Sequence, residues 1–256
     1  MSVSASPVAA RSNTLLPVVE PRYALVAKAD RLYADCLERA LKQSFPSIRV
    51  RHATNLRSAR AQLSSNKVDM LLTGVGFNDG DALEWLAELA ASDRATRVVV
   101  VTARKEVRLH LALREIRLDG LFNAFEEGLS ILVSVLRQVW EGSHYRSDSF
   151  KDLFRGSDDD RMTLFRQLSV KEQLVLSVIG DGSDDQEAGQ RLSMTAAAVR
   201  THRKRLHTKL GISHKGELMR LAIKHGFVRV TADKIVRPGF SQLIARVSRN
   251  PFDRKT

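Results

Sequence analysis

The sequence predicts an α/β doubly wound parallel five-stranded sheet followed by an all-α four-helix domain, and three observations carry that prediction. Between residues 22 and 142, five short apolar runs alternate with five stretches of helical periodicity. Residues 143–164 then turn polar. From residue 165 the periodicity is helical, and positive charge is concentrated there. Strands alternating with helices are what a parallel sheet with crossover connections requires.

Taken in chain order, residues 1–21 are rich in Ser, Ala, Val and Pro, and Pro7, Pro17 and Pro21 discourage any regular element, so a flexible lead is expected. Strands are expected at Tyr23–Ala27, Ile48–His52, Val68–Thr73, Val98–Thr102 and Gly120–Phe122. Helices are expected near 31–44, 55–65, 81–91, 105–115 and 127–140, the last with Leu129, Leu132, Val133 and Leu136 on one face. The stretch 143–164 reads as a linker with a short helix around Phe150–Phe154, and its acidic run Asp158–Asp160 as a solvated face. After residue 228 a tail begins. In it Pro238 and Gly239 precede Phe240, Leu243, Ile244 and Val247, whose spacing of three and four places them on one helical face, expected to dock on the preceding module.

The chain has 256 residues, 43% of them hydrophobic, which suffices for two modest cores. Its formal net charge of +12 favours a polyanionic partner. Between Arg200 and Arg229 nine basic residues (Arg200, Arg203, Lys204, Arg205, Lys209, Lys215, Arg220, Lys224 and Arg229) face one acid, Glu217. Cys36 is the only cysteine, which excludes an intramolecular disulfide and a cysteine-based metal site and suits a reducing compartment. Its neighbours Leu32, Leu37 and Ala40 predict a buried thiol. No stretch has the h-region of a signal peptide or approaches the ~20 apolar residues of a membrane span. A soluble, cytoplasmic protein without membrane contact is expected. The seven histidines show no metal spacing with acids, and no phosphate-binding glycine loop appears, so no catalytic residue, metal or cofactor is expected.

The segment from Leu168 carries the strongest local signals. Ser169 can cap a helix whose apolar face is Leu174, Val175 and Val178, closed by Gly182. A second short helix runs through Leu192. Thr195 can cap a third, from about Ala196 to Leu210, with Val199, Leu206 and Leu210 inward and Arg200, Thr201, Arg203 and Lys204 outward. Gly211 ends it, and Ser213 opens a fourth. Leu168, Glu172, Leu176, Gly182, Glu187, Leu192, Val199, His202, Lys209, Leu210, Gly211, Glu217, Leu218 and Ala222 together resemble the pattern of the LuxR-type helix-turn-helix over residues 165–228. The resemblance implies that Arg200, Thr201 and Lys204 face base edges in the major groove. It further implies that Arg203, Arg205 and Lys209 hold phosphates, assisted by Thr195 and the amides at the helix start, while His202, a DNA-binding candidate on the same helix, contacts DNA or the core. Glu172 would brace the fourth helix by pairing with a basic residue. Ala188 and Ala198 depart from the pattern, which usually has a larger aliphatic residue and a Thr there; the missing hydroxyl at Ala198 removes one backbone contact.

With that module behind it, the front segment 22–142 resembles the receiver domain of response regulators of the NarL/FixJ class, stripped of its chemistry. Aligning LYADCLERAL with the first receiver helix puts Lys28 and Ala29 at the magnesium-holding acids and Gly74 at the phosphorylated aspartate. Thr102 matches the switch Thr, while Ala124 stands at the usual Lys. Phosphoryl transfer needs a carboxylate nucleophile and oxygen ligands around magnesium, so a pseudo-receiver is implied. Asp30, Asp79 and Asp81 are expected as loop or capping residues, with Lys28 paired to Asp79 or Asp81. The expected function is a phosphorylation-independent, sequence-specific transcription regulator binding promoter DNA as a homodimer. Its input would be a protein partner or small ligand at the receiver-like domain. The alternative is a co-regulator or anti-activator adaptor acting by protein contact.

Overall fold

The computed structural model describes residues 20–92, 95–155, 167–231 and 233–249. Residues 1–19 of the lead expected at 1–21, and the acidic run Asp158–Asp160, lie outside the described residues.

The front domain is a parallel sheet of β1 (Tyr23–Ala27), β2 (Arg49–Ala53), β3 (Met70–Thr73), β6 (Arg97–Thr102), β7 (Gly120–Asn123) and β8 (Tyr145–Arg146) in the order β2-β1-β3-β6-β7-β8. A small antiparallel hairpin, β4 (Gly76–Phe77) and β5 (Gly80–Asp81), projects from the carboxyl end of β3. Side chains alternate across the pleat, so Leu25 and Ala27 enter one core while Ala24 and Val26 enter the other. The first core is covered by α2 (Leu56–Ser65), α3 (Leu83–Ala91) and α4 (Val107–Arg114), the second by α1 (Arg31–Ser44) and α5 (Leu129–Trp140). Burial on both faces explains why β3 and β6 read as continuous apolar runs.

The sheet has six strands where five were expected. The sixth comes from the stretch read as linker: Tyr145 and Arg146 pair with Gly120 and Leu121, and Ser147 accepts a 2.8 Å hydrogen bond from the Asn123 amide. Two residues are too few to show a period of two, so the strand leaves no sequence pattern. Helix α6 (Asp148–Arg155) follows, with Phe150 buried in the first core.

The rear module contains α7 (Val170–Ile179), α8 (Asp185–Leu192), α9 (Ala196–Leu210) and α10 (Lys215–Lys224). Helix α7 is buried from Glu172 through Ile179 because neighbours cover it on every side, including the tail helix α11 (Phe240–Arg249). It ends at Ile179, with Gly180 rather than Gly182 as its cap. The cap of α10 is His214 rather than Ser213.

The two domains share an interface. Val107, at the first turn of α4, is buried in the core of the rear module, and the Arg108 amide donates to the His225 carbonyl at 3.2 Å. A hairpin missed in the sequence, β9 (Arg229–Val230) and β10 (Ile235–Val236), leads into α11. Arg229 donates to the carbonyls of Phe77 and Gly80, both at 2.8 Å, and Lys234 to that of Asp79. Ser241 donates to Glu84, and Arg246 pairs with Glu115 at 3.1 Å. The tail therefore docks on both domains, where contact with its own module alone was expected. Leu243 is fully buried, but Ile244 is exposed.

Candidate nucleic-acid interface

Each helix of the module starts where the backbone amides find an acceptor. Ser169 caps α7 in a reciprocal box with Glu172, and Asp184 caps α8 in a box with Glu187. Thr195 accepts from the Ala198 amide to cap α9, and Gly211, at φ +62, closes it. The turn between α8 and α9 folds back on a glycine within α8: a Cβ at Gly189 would lie 2.7 Å from the Met194 carbonyl oxygen. That close approach brings α8 across α9.

Val199, His202 and Leu206 turn into the core, and Leu210 is half-buried. Arg200, Thr201, Lys204, Arg205, Thr208 and Lys209 are exposed, and the Arg200 side chain is 74% exposed. Of the two places open to His202, DNA or the core, the structure puts it in the core. Its spacing of three from Val199 and four from Leu206 already assigned it to the inner face. Thr195 is exposed at the amino end of α9.

Two basic residues are held from within. Arg203 Nε donates to Asp185 at 2.8 Å and its terminal nitrogen to the Ser183 carbonyl at 3.1 Å. Lys209 donates to Glu172 at 2.8 Å and to the Gln167 carbonyl at 3.2 Å. Glu172 therefore braces the end of α9, not α10 as expected. Burial pushes the Glu172 carboxyl up, but Lys209 and the Ser169 amide outweigh it and hold it below the usual range.

In the front domain, Lys28 and Gly74, two of the residues expected at a degenerate phosphorylation pocket, lie against each other. A Cβ at Gly74 would lie 3.1 Å from Lys28 Cδ and 3.3 Å from its Nζ. Lys28 sits 4.1 Å over the Tyr33 ring, and burial lowers its pKa to about 8 against the opposing pull of Asp30. It does not pair with Asp79 or Asp81, contrary to expectation; the carboxylate acting on it is that of Asp30. Asp30 accepts from the Tyr33 amide, Asp79 from the amides of Leu56 and Arg57, and Asp81 from that of Leu83. Ala29 packs against the core, and the Ala124 amide donates to the Thr102 carbonyl at 3.0 Å. Thr102 is buried, its hydroxyl accepting from the Arg104 amide.

Asp81 is the unusual acid of this end. Its Oδ2 is shielded from solvent without a hydrogen-bond partner, and burial raises its pKa to about 6 against the opposing charges of Arg104 and Arg229.

One group escaped the spacing argument. Ligand atoms of Asp35, Glu38 and His52 lie within 4.8 Å of one another, brought together by α1 and β2. Glu38 is already paired with Lys42 at 2.6 Å and bonded to His52 Nε2 at 2.5 Å. Cys36 is exposed, not buried, because it lies on the outer side of α1. Among the described residues no helix is long and apolar enough to cross a membrane.

Fold and site together define a parallel α/β domain carrying a helix-turn-helix module with an uncovered basic third helix. Residues 166–222 match the family described as bacterial regulatory proteins, luxR family. The chain is 26% identical over 165 residues to the response regulator UvrY of Escherichia coli strain K12, covering 63% of this chain and 75% of that one. It is 29% identical over 167 residues to the response regulator GacA of Pseudomonas aeruginosa, covering 63% and 77%. In fold it is similar to RcsB of Salmonella enterica serovar Typhimurium bound to the promoter P1flhDC, with a TM-score of 0.53 at 16% identity over 78% of this chain and 96% of that one. The chain thus carries a LuxR-type regulatory domain and is a relative of response regulators.

Proposed function

We propose that the protein is a sequence-specific DNA-binding transcription regulator that binds promoter DNA as a homodimer and does so without aspartate phosphorylation. The observation that carries this reading is the uncovered face of α9, where Arg200, Thr201, Lys204 and Arg205 are exposed together on a helix capped at its start by Thr195. Arginine and lysine donate to guanine acceptors in the major groove, and threonine adapts to several base edges. Arg200, Thr201 and Lys204 address bases, while Arg205 and the amides behind Thr195 address phosphates. An adaptor acting by protein contact alone has no use for this exposed basic face. The expectation of a dimer rests on size: one short helix buries too little for specific affinity, and two half-sites about one helical turn apart supply the rest.

Independence from phosphorylation is supported by Gly74, which has no nucleophile, and by Lys28, whose amine occupies the space a side chain there would need. We divide the chain into a pseudo-receiver that starts at 22 and takes in β8 and α6 from the stretch 143–164 read as linker, the DNA-binding module at 165–228 and the tail beyond. A cytoplasmic location fits this role. A cleft of about 480 Å³ between hairpin β4–β5 and the tail, lined by Asp79, Glu84, Arg191, Lys234 and Phe240, is the place for a small-ligand input.

Genomic footprinting with purified protein tests the reading, and light scattering of the complex tests the dimer. Specific half-sites bound by two protomers are expected; binding indifferent to sequence overturns it. Incubation with acetyl phosphate and magnesium should add no phosphoryl mass and leave operator affinity unchanged.

A further inference from the structure

The basic face of α9 is not a set of free side chains. Asp185, the first residue of α8, accepts from Arg200 Nε at 3.2 Å through one oxygen and from Arg203 Nε at 2.8 Å through the other. The acid is largely enclosed, its side chain 19% exposed, as is Arg203 at 18%, whereas Arg200 extends into solvent at 74%. Burial pushes the Asp185 carboxyl up, but the two guanidinium groups outweigh it and hold it below the usual range, so it is ionised wherever the protein is folded at neutral pH. Arg203 is fixed a second time by the Ser183 carbonyl at 3.1 Å. Asp185 is therefore anchored on its inner side and offers Arg200 a stationary acceptor.

From this we infer that Asp185 is a positioning residue for base recognition, which orients Arg200 toward a guanine. The inference rests on the reading of α9 as the recognition helix. The chemistry lies in which nitrogen is used. A guanidinium that spends Nε on a carboxylate keeps both terminal nitrogens free and side by side at its far end, the fork that matches O6 and N7 of guanine. Adenine offers a donor where guanine offers O6, so a guanidinium held in this attitude rejects it. Without Asp185, Arg200 is a long side chain with many rotamers. It can reach a guanine, an adenine N7 or a phosphate, and only the first carries sequence information. A carboxylate beside the duplex also repels phosphates, so it should lower affinity for random DNA while sharpening selection.

The test compares Asp185→Asn, Asp185→Ala and Arg200→Ala with the full-length protein, on a site selected by the wild type and on single-base variants of it. Arg200→Ala should cut preference for guanine at one position by about 10-fold or more. Asp185→Asn should cut the same preference by about 3- to 10-fold, the loss of one charged hydrogen bond, while affinity for random DNA stays level or rises. Asp185→Ala should follow, and thermal melting of both variants reports whether α8 remains folded. A merely structural role would weaken specific and random DNA alike. The inference is overturned if Arg200→Ala abolishes selection at a base where folded Asp185→Asn leaves it intact, or if both variants lose affinity uniformly. Should the wild type itself prefer no sequence over random DNA, the recognition reading fails first and this inference with it.

Discussion

Asp81 offers the sharpest energetic test, because two effects oppose each other there. Its carboxylate lies among Arg104, Arg229 and, more distantly, Arg108, which favour the ionised form, and beside Glu84, which does not. Burial of an oxygen without a partner wins, moving the pKa from 3.8 to about 6. A carboxyl whose folded pKa is raised is favourable when protonated. Its contribution is fully present below pH 3.8 and is lost as pH rises through about 6. A shift of about two units corresponds to about 3 kcal/mol lost at neutral pH, of which about 2 kcal/mol falls between pH 4.5 and 7. The perturbation is Asp81→Asn, which keeps the shape and cannot ionise. Other acids in the protein have lowered pKa values and weaken the fold in acid, so the comparison is the difference between variant and wild type at each pH. Both tryptophans, Trp85 and Trp140, belong to the front domain, and Trp85 is buried in the helix that Asp81 precedes, so urea unfolding followed by tryptophan fluorescence reports the right region. The variant should gain on the wild type by about 2 kcal/mol between pH 4.5 and 7. A flat difference, or one of opposite slope, would show that Arg104 and Arg229 hold Asp81 as an ordinary ion pair and that burial does not decide its charge.

Lys28→Met should stabilise the front domain at pH 7 by up to about 3 kcal/mol, since burial lowers the ammonium from 10.5 to about 8; the gain should vanish above pH 10.5, and a loss of stability at neutral pH would reveal an unseen partner. Arg229→Ala removes two charged hydrogen bonds to the Phe77 and Gly80 carbonyls and should cost roughly 1–3 kcal/mol. Hydrogen exchange should then accelerate in hairpin β4–β5 but not in α1, and unchanged exchange there would mean that the tail does not hold the hairpin. Glu172→Gln breaks the pair with Lys209, whose side chain is 42% exposed, so the loss should stay near 1 kcal/mol by chemical unfolding. Because the folded pKa of Glu172 is depressed, the wild type's advantage should be complete above pH 4.5 and disappear as pH falls through the folded value.

The sequence by itself determined what depends on local periodicity and chain-neighbour chemistry. Strand β1 was legible because its apolar run is bounded by polar residues, and α9 because Thr195 and Gly211 mark its ends while Val199 and Leu206 mark its inner face. That Gly74 carries no side chain able to act as a nucleophile was legible too, and it holds in any fold. His202 was legible only as a choice between DNA and core, although its spacing points inward. Only the tertiary structure decided matters that bring distant residues together. Strand β8 forms because β7 offers an unpaired edge, and hairpin β9–β10 is stapled by carbonyls some 150 positions earlier in the chain. Asp185 lies 15 residues from Arg200 and 18 from Arg203, separated from them by a turn whose geometry is set by the close approach at Gly189. No periodicity links an acid at the start of one helix to bases on the face of the next; the crossing of α8 over α9 does, and it exists only once Val199, Leu206 and Ala188 share one buried core.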